Sequence, residues 1–320
     1  MDEEVVDGEV VDGEVVDGEG GDEGGFDIFD PISSILDMVT DLLFNIFKFC
    51  TEACLNGITA LFEKSVATIQ TEVSETPTEF SQSLVDSLRT VSETAILPVA
   101  GLILTYIFCY ELYQLVVEQN KSGNFETGQL MFLIIKTSVM IMLLSNSFDI
   151  TLAVFDLGKW ITDQVSTEAV GMPVDVTKDI MASLEGQEVG YALAMMLMAV
   201  IALIIVFIMT GIIYLVAWSR MVTIMLYISV APLPFATFMN KDWIGSIGQT
   251  YVKNLVALML QGYFMLICLV IYSHLLEKTA KLVVAGDGLF GLLLMLVSMA
   301  ILVVSLTRTH SLAKSVMGVV

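Results

Sequence analysis

Histidine and cysteine are scarce in this chain of 320 residues, with 2 and 4 copies, and the scarcity removes most metal and thiol chemistry. His274 and His310 stand alone, with no second ligand type at metal-site spacing. Cys109 and Cys268 fall inside apolar runs, where cysteine behaves as a small hydrophobe. Cys50 and Cys54 are i,i+4 on a predicted helix, but no histidine or further cysteine pair lies near them, so packing is their expected role. The motifs of catalysis are missing too: there is no Gly-rich phosphate loop, no His-Glu-x-x-His and no nucleophile elbow. The sequence therefore predicts no catalytic residue, no metal and no cofactor, which argues against an enzyme.

Charge is the second shortage. Only 16% of the residues are charged, where a globular chain carries about a quarter. Positive charge is wholly absent from the first 25 residues, which hold 11 acids and contribute half of the net charge of -22. Such a tail repels phosphate and does not bind polyanions. A basic n-region followed by an apolar h-region is also missing, so the protein is expected to insert through its own spans.

What the chain has instead is long apolar runs. Val189 to Ser219 is 31 residues without a charge, and after Arg220 another 20 uncharged residues follow, broken by Ala231-Pro232-Leu233-Pro234. About 18 to 20 apolar residues cross the hydrocarbon of a bilayer as one helix. A soluble helix would need polar residues every third or fourth position. The fold class that follows is all-α: a polytopic helical membrane protein with five to six transmembrane helices, an N-terminal interfacial amphipathic helix and a disordered acidic tail.

In chain order, residues 1–25 form the acidic tail, with three tandem copies of Glu-Val-Val-Asp-Gly over residues 4–18. Five residues per unit is too short for a solenoid, and Gly with Asp and Glu favours solvated disorder. Residues 26–95 begin with an amphipathic stretch from Phe26 to Phe62, capped by Asp30-Pro31, whose recurring charges suit a helix lying at the membrane interface. A polar connector, Glu63 to Glu93, follows. Residues 96–144 contain two spans, residues 145–188 a polar acidic loop with amphipathic helices, residues 189–310 the membrane core, and residues 311–320 the C-terminal tail.

Two topologies compete over the core. If Tyr191–Trp218 and Met221–Phe238 both cross, there are six spans, and bases divide evenly between the two sides. With five spans, Lys121, Arg220, Lys241, Lys253, Arg308 and Lys314 face one side, against Lys278 and Lys281 on the other. Lysine and arginine in short loops prefer the cytoplasm, which favours five spans with the N-terminus outside and the C-terminus inside. Trp218-Ser219-Arg220 also lacks the Gly or Pro of a turn.

Ionisable groups inside spans need a partner or a role, since each costs roughly 2.5–3.5 kcal/mol on insertion scales. Glu111 and Lys136 are expected at matching depth on adjacent antiparallel helices, where they either form an interhelical ion pair or snorkel separately to the loop. Pro232 and Pro234 mark a broken-helix motif, Gln261 a polar contact between helices, and Arg220 a charge at the membrane boundary.

The segment Ser229-Val-Ala-Pro-Leu-Pro-Phe-Ala-Thr-Phe-Met-Asn240, followed by Trp243, Gly248-Gln249, Lys253-Asn254 and Gln261-Gly262, resembles the core of the TrbL-type (VirB-six-like) polytopic subunits of type IV secretion systems. It is most similar to the versions on Gram-positive conjugative elements, and the resemblance covers roughly residues 95–310. It implies a multi-pass cell-membrane protein, a channel or scaffold subunit of a conjugative DNA-transfer apparatus without cofactor. The partners it implies are the lipid bilayer, further copies of the chain and other secretion subunits including ATPases, with contact to transferred single-stranded DNA indirect. The repetitive acidic N-terminus departs from the pattern. A secondary transporter of a small solute is the alternative from another class, but it would show inverted repeats and paired broken helices, and only one proline-broken segment is present. An accessory, holin-like membrane protein of a mobile element is a third reading.

Overall fold

A computed structural model describes residues 29–122, 127–165, 176–240, 245–283 and 288–319. The acidic repeats lie outside them. The described residues form helices and no strand: α1 (Phe29–Ser74), α2 (Pro77–Phe80), α3 (Gln82–Val91), α4 (Leu97–Ser122), α5 (Thr127–Ser145), α6 (Ser147–Val165), α7 (Val176–Ala182), α8 (Val189–Ser229), α9 (Pro232–Thr237), α10 (Gly245–Val283) and α11 (Gly288–Val316). A π-helical turn over Ser92–Ile96 joins α3 to α4. Among the described residues, five stretches are long and apolar enough to cross a membrane: Gln82–Lys121, Thr127–Ser145, Val189–Ser229, Gly245–Leu276 and Gly288–Val316.

The fifty residues around Arg220 resolve the choice between five and six spans. Nothing near Arg220 breaks a helix, so α8 runs on through it for 41 residues, about 60 Å at a rise of 1.5 Å per residue. The stop comes at Pro232, which lacks the N–H that would continue the ladder, and only the 6-residue α9 follows. Met221–Phe238 is therefore the end of one long helix plus a short broken piece. It is not a sixth span. The hydrocarbon layer is about 30 Å thick, so α8 tilts strongly or projects beyond it.

One face of α8 is buried, with Ala192, Met195, Ala199, Ala202, Val206, Thr210, Ile213 and Ala217 recurring every three or four residues. Small residues there let neighbouring helices approach closely, as membrane interfaces require. The opposite face is apolar too, yet Leu197, Ile201, Ile204, Phe207, Ile208 and Leu215 are exposed. A helix that is hydrophobic all round, with one face open, suits lipid.

Three apolar clusters follow one another along this helix. The first joins α8 from Ala192 to Ala217 with α1, α7, the second half of α10 and α11. The next takes Met221, Ile224, Met225 and Ile228 together with α6 and the Leu255 and Leu258 turns of α10. The last gathers Ala231, Phe235, Ala236 and Met239 with Ala100, Leu104 and Ile107 of α4 and Leu133, Met140 and Leu144 of α5.

The N-terminal helix is longer than its amphipathic pattern predicts. It runs on into the first part of the expected connector, as far as Ser74. Its part up to Leu43 belongs to a separate compact unit, with exposed Ile35, Leu36, Met38 and Leu42 interleaved with Asp37 and Asp41. From Leu55 onward the stripe Leu55, Ile58, Phe62, Val66, Ile69 and Val73 is buried in the first cluster. Ser65 donates to Thr210, Thr68 to Tyr214, and Glu72 accepts from Trp218. The sequence offset of those pairs stays at 145 or 146, which makes this part of α1 parallel to α8.

Candidate functional site

Polar side chains inside the apolar part of the molecule are the places where function is to be sought. The structure groups them at three points.

The first is the α4–α5 hairpin. Lys136 Nζ lies 2.7 Å from Glu111 Oε2, and both side chains are about four-fifths buried, at 19% and 18% exposure. The loop between the helices is short, so a residue ten or so positions before it meets one ten or so after it. Separate snorkelling is not what the structure has: the two groups satisfy each other across the hairpin. Around them the hairpin is poorly covered, with 17% of the apolar window of each helix buried.

The second is the break between α8 and α9. Ala231 donates its N–H to Ile228 O and Leu233 to Val230 O, each one residue short of α-helical spacing. This tightening leaves the Tyr227 carbonyl without its usual i+4 partner. Tyr251 of α10 supplies the missing donor, its hydroxyl lying 2.8 Å from Tyr227 O. The two rings stack with centroids 5.6 Å apart, and Phe235 meets Tyr251 edge-on at 6.1 Å. The chain then returns so closely that two positions have no room for a side chain. A Cβ on Gly248 would come within 2.8 Å of Pro234 O, and one on Gly245 within 1.9 Å of Asn240 O. Thr237 donates to Pro234 O at 2.7 Å, serving a carbonyl left without a backbone donor where the short α9 ends.

The third is the level of Arg220. This residue is 7% exposed, so it is a buried charge within the helix packing and not only a boundary marker. Its guanidinium lies against α10 where Gly262 leaves space: a Cβ there would be 2.7 Å from Arg220 Nη2 and 3.3 Å from Val73 of α1. Arg220 Nε is buried without a hydrogen-bond partner. The neighbouring Gln261 is 5% exposed, and its Oε1 is 3.2 Å from His310 Nδ1 of α11. One residue-pair step thus joins α10 to both α8 and α11.

Tyr251, Gly262 and the Glu72–Trp218 contact were not singled out for these contacts from the sequence. Gly262 and Gly248 stood in the quoted motif without a physical reason, and a glycine in the middle of an apolar helix is itself a signal of close approach. Outside the spans, Glu79 accepts from Lys159 Nζ and also from the Thr76 backbone N–H. The ammonium first, and then that N–H, hold the Glu79 carboxyl below the usual carboxylate range. Among the described residues no group of three or more His, Cys, Asp or Glu is placed to hold a metal ion.

The family model described as TrbL/VirB6 plasmid conjugal transfer like protein matches residues 62–232. The match takes in the α1 end, both hairpin helices and α8, and stops at the first proline of the break. No curated protein and no solved structure matches the chain.

Proposed function

The chain belongs to the TrbL/VirB6 plasmid conjugal transfer-like family, and on that premise we propose that it frames a conduit by assembling with copies of itself and with other subunits of a conjugative DNA-transfer apparatus. It is a multi-pass membrane protein, and its family is one of structural conjugation subunits, not a known enzyme family.

The observation that carries it is where apolar surface is spent. Inside the chain, the space between α1, α8, α10 and α11 is filled by Leu, Ile, Met and Ala side chains, which is no path for a hydrophilic substrate. Outside, the hairpin and the Ile201–Ile208 face of α8 are uncovered. A chain closed within and apolar without contributes to a passage by standing beside other chains. Secretion ATPases and the transferred single strand are then partners of the assembly. A secondary transporter would instead place polar groups around a midplane site inside one chain.

Purification in mild detergent tests this reading. We expect a large oligomer or co-purifying transfer subunits, and conjugation lost when the gene is deleted and restored by the intact chain. A monomer that exchanges a small solute in liposomes would overturn it in favour of the transporter.

A further inference from the structure

On the premise that the chain frames a conduit with its neighbours, we propose that α4 presents the wetted wall of that passage, through Tyr106, Tyr110 and Tyr113 set around Cys109. The chain has 9 tyrosines. These three are the ones that stand open, at 67%, 39% and 67% exposure, and the rest are buried or half-buried. Spacings of three, four and seven residues gather Tyr106, Cys109, Tyr110 and Tyr113 on one side of a helix. The other side of α4 is spent on the chain itself, with Ala100, Leu104 and Ile107 in the cluster around α9 and Glu111 on Lys136.

Depth sets this face apart from a lipid-facing one. Tyr106 comes 13 residues after Glu93 and 15 before Lys121, about 20 Å from either charge at 1.5 Å per residue. The hydrocarbon is about 30 Å thick, so a crossing α4 holds this ring near the middle of it. Tyrosine facing lipid gathers instead at the two interfaces, and a hydroxyl in hydrocarbon is costly unless it finds a partner. Tyr110 accepts from Gln114 Nε2 at 2.8 Å, while Tyr106 and Tyr113 have no hydrogen-bond partner among the described residues. The outward faces of α5 and α8 differ: Phe132, Ile135, Ile204 and Phe207 are exposed there, and lipid suits them. Water suits α4, since it meets each hydroxyl without the matched acceptors that a dry contact with a second copy would have to provide. Lys136 is neutralised by Glu111, so the wall carries no free charge. Such a wall holds a polyanionic strand weakly enough to let it go, and open rings give unpaired bases a surface on which to stack.

The test treats the full-length protein, in membranes of cells that carry the transfer apparatus, with a charged, membrane-impermeant methanethiosulfonate. The labelling rate of each free cysteine is then read by peptide mass spectrometry. Cys109 is exposed and Cys268 half-buried between helices. Cys109 should label about tenfold or more faster than Cys268 and than a cysteine placed by Ile135→Cys, because the thiolate reacts and apolar surroundings suppress it. Tyr106→Leu combined with Tyr113→Leu should slow Cys109 about tenfold while copies still co-purify, and Tyr106→Phe with Tyr113→Phe gives the same reading with the rings kept. An unlabelled Cys109 in a chain that still co-purifies with its neighbours overturns the wetted wall and leaves the assembly standing. A chain that purifies as a monomer overturns both. Ile135→Cys labelling as fast as Cys109 would put water on every side of the hairpin, and a rate indifferent to the tyrosine changes would deny the hydroxyls their part; either result overturns the proposal.

Discussion

Lys136 and Glu111 make a pair whose worth lies mainly in what its absence would expose. Removing one partner of a buried pair costs about 3–5 kcal/mol, because the other charge is left unmet. Here both side chains keep nearly a fifth of their exposure, so we expect Lys136→Ala to cost about 1–3 kcal/mol. Glu111→Ala combined with it should cost less than the sum of the two single changes, and a double-mutant cycle of thermal unfolding in detergent reads the coupling. Additive losses would mean that the two groups act separately. Tyr251 makes the same kind of argument for the helix break. Tyr251→Phe keeps the ring against Tyr227 and Phe235 but takes the hydroxyl from the Tyr227 carbonyl. A buried carbonyl left without a donor costs about 1–3 kcal/mol, and limited proteolysis should then cut the Ser229–Asn240 segment sooner than in the parent. The depth match of Glu111 and Lys136 was legible because a short turn and a fixed rise determine it. The role of Tyr251 was not, since nothing local says which carbonyl a tyrosine 24 positions away will meet.

At the scale of elements, the 4-residue α2 shows how the regions outside the spans are tied down. Thr76 caps it, and Glu79 closes the capping box from the third helical position while accepting from Lys159 of α6. The Thr76-Pro77-Thr78-Glu79 spacing carries that box openly; the α6 partner, 80 residues on, it does not. Glu79 titrates below its ordinary range, so its contribution is complete above the unfolded pKa and disappears as pH falls through the lowered folded value. Lys159 is shifted upward, first by its hydrogen bond to Glu79; its share is full below the ordinary lysine pKa and is lost above the raised one. Both side chains are a third or more exposed, at 33% and 47%, which limits the pair to about 0.2–1 kcal/mol. The protection of the α2 amides, corrected for intrinsic exchange, should fall on acidification below the ordinary carboxylate pKa, and Lys159→Gln should lessen that dependence while the share due to the Thr76 N–H remains. Element type was readable wherever composition excluded everything else, as in the uncharged run of α8. Element partners were not. The stripe from Leu55 to Val73 has the period of a surface-seeking helix, and periodicity alone does not distinguish a bilayer from the flank of α8. Likewise five and six spans both stayed open over the stretch around Arg220, and the unbroken α8 decides between them, because no Gly or Pro at Arg220 stops the helix.

For the molecule as a whole, the number of crossings decides which ends meet. With α8 one continuous helix and α9 too short to cross, five stretches are long and apolar enough to cross, and five crossings would put the two ends of the chain on opposite sides of the membrane. The bases then sort themselves: Lys121, Arg220, Lys253, Arg308 and Lys314 fall on one side, and the acidic stretch 145–188 on the other. Cytoplasmic preference for lysine and arginine in short loops makes the first side the inner one. We therefore expect a cytoplasm-active reporter to work when fused after Val320 and to fail when fused after Gly25, with the reverse for a reporter that needs export. Activity of the same reporter at both ends would require the region from Met221 to Phe238 to cross in its own right. The continuity of α8 through Arg220 would then be lost in the membrane, and with it the buried seat against Gly262 and the parallel register of α1 and α8.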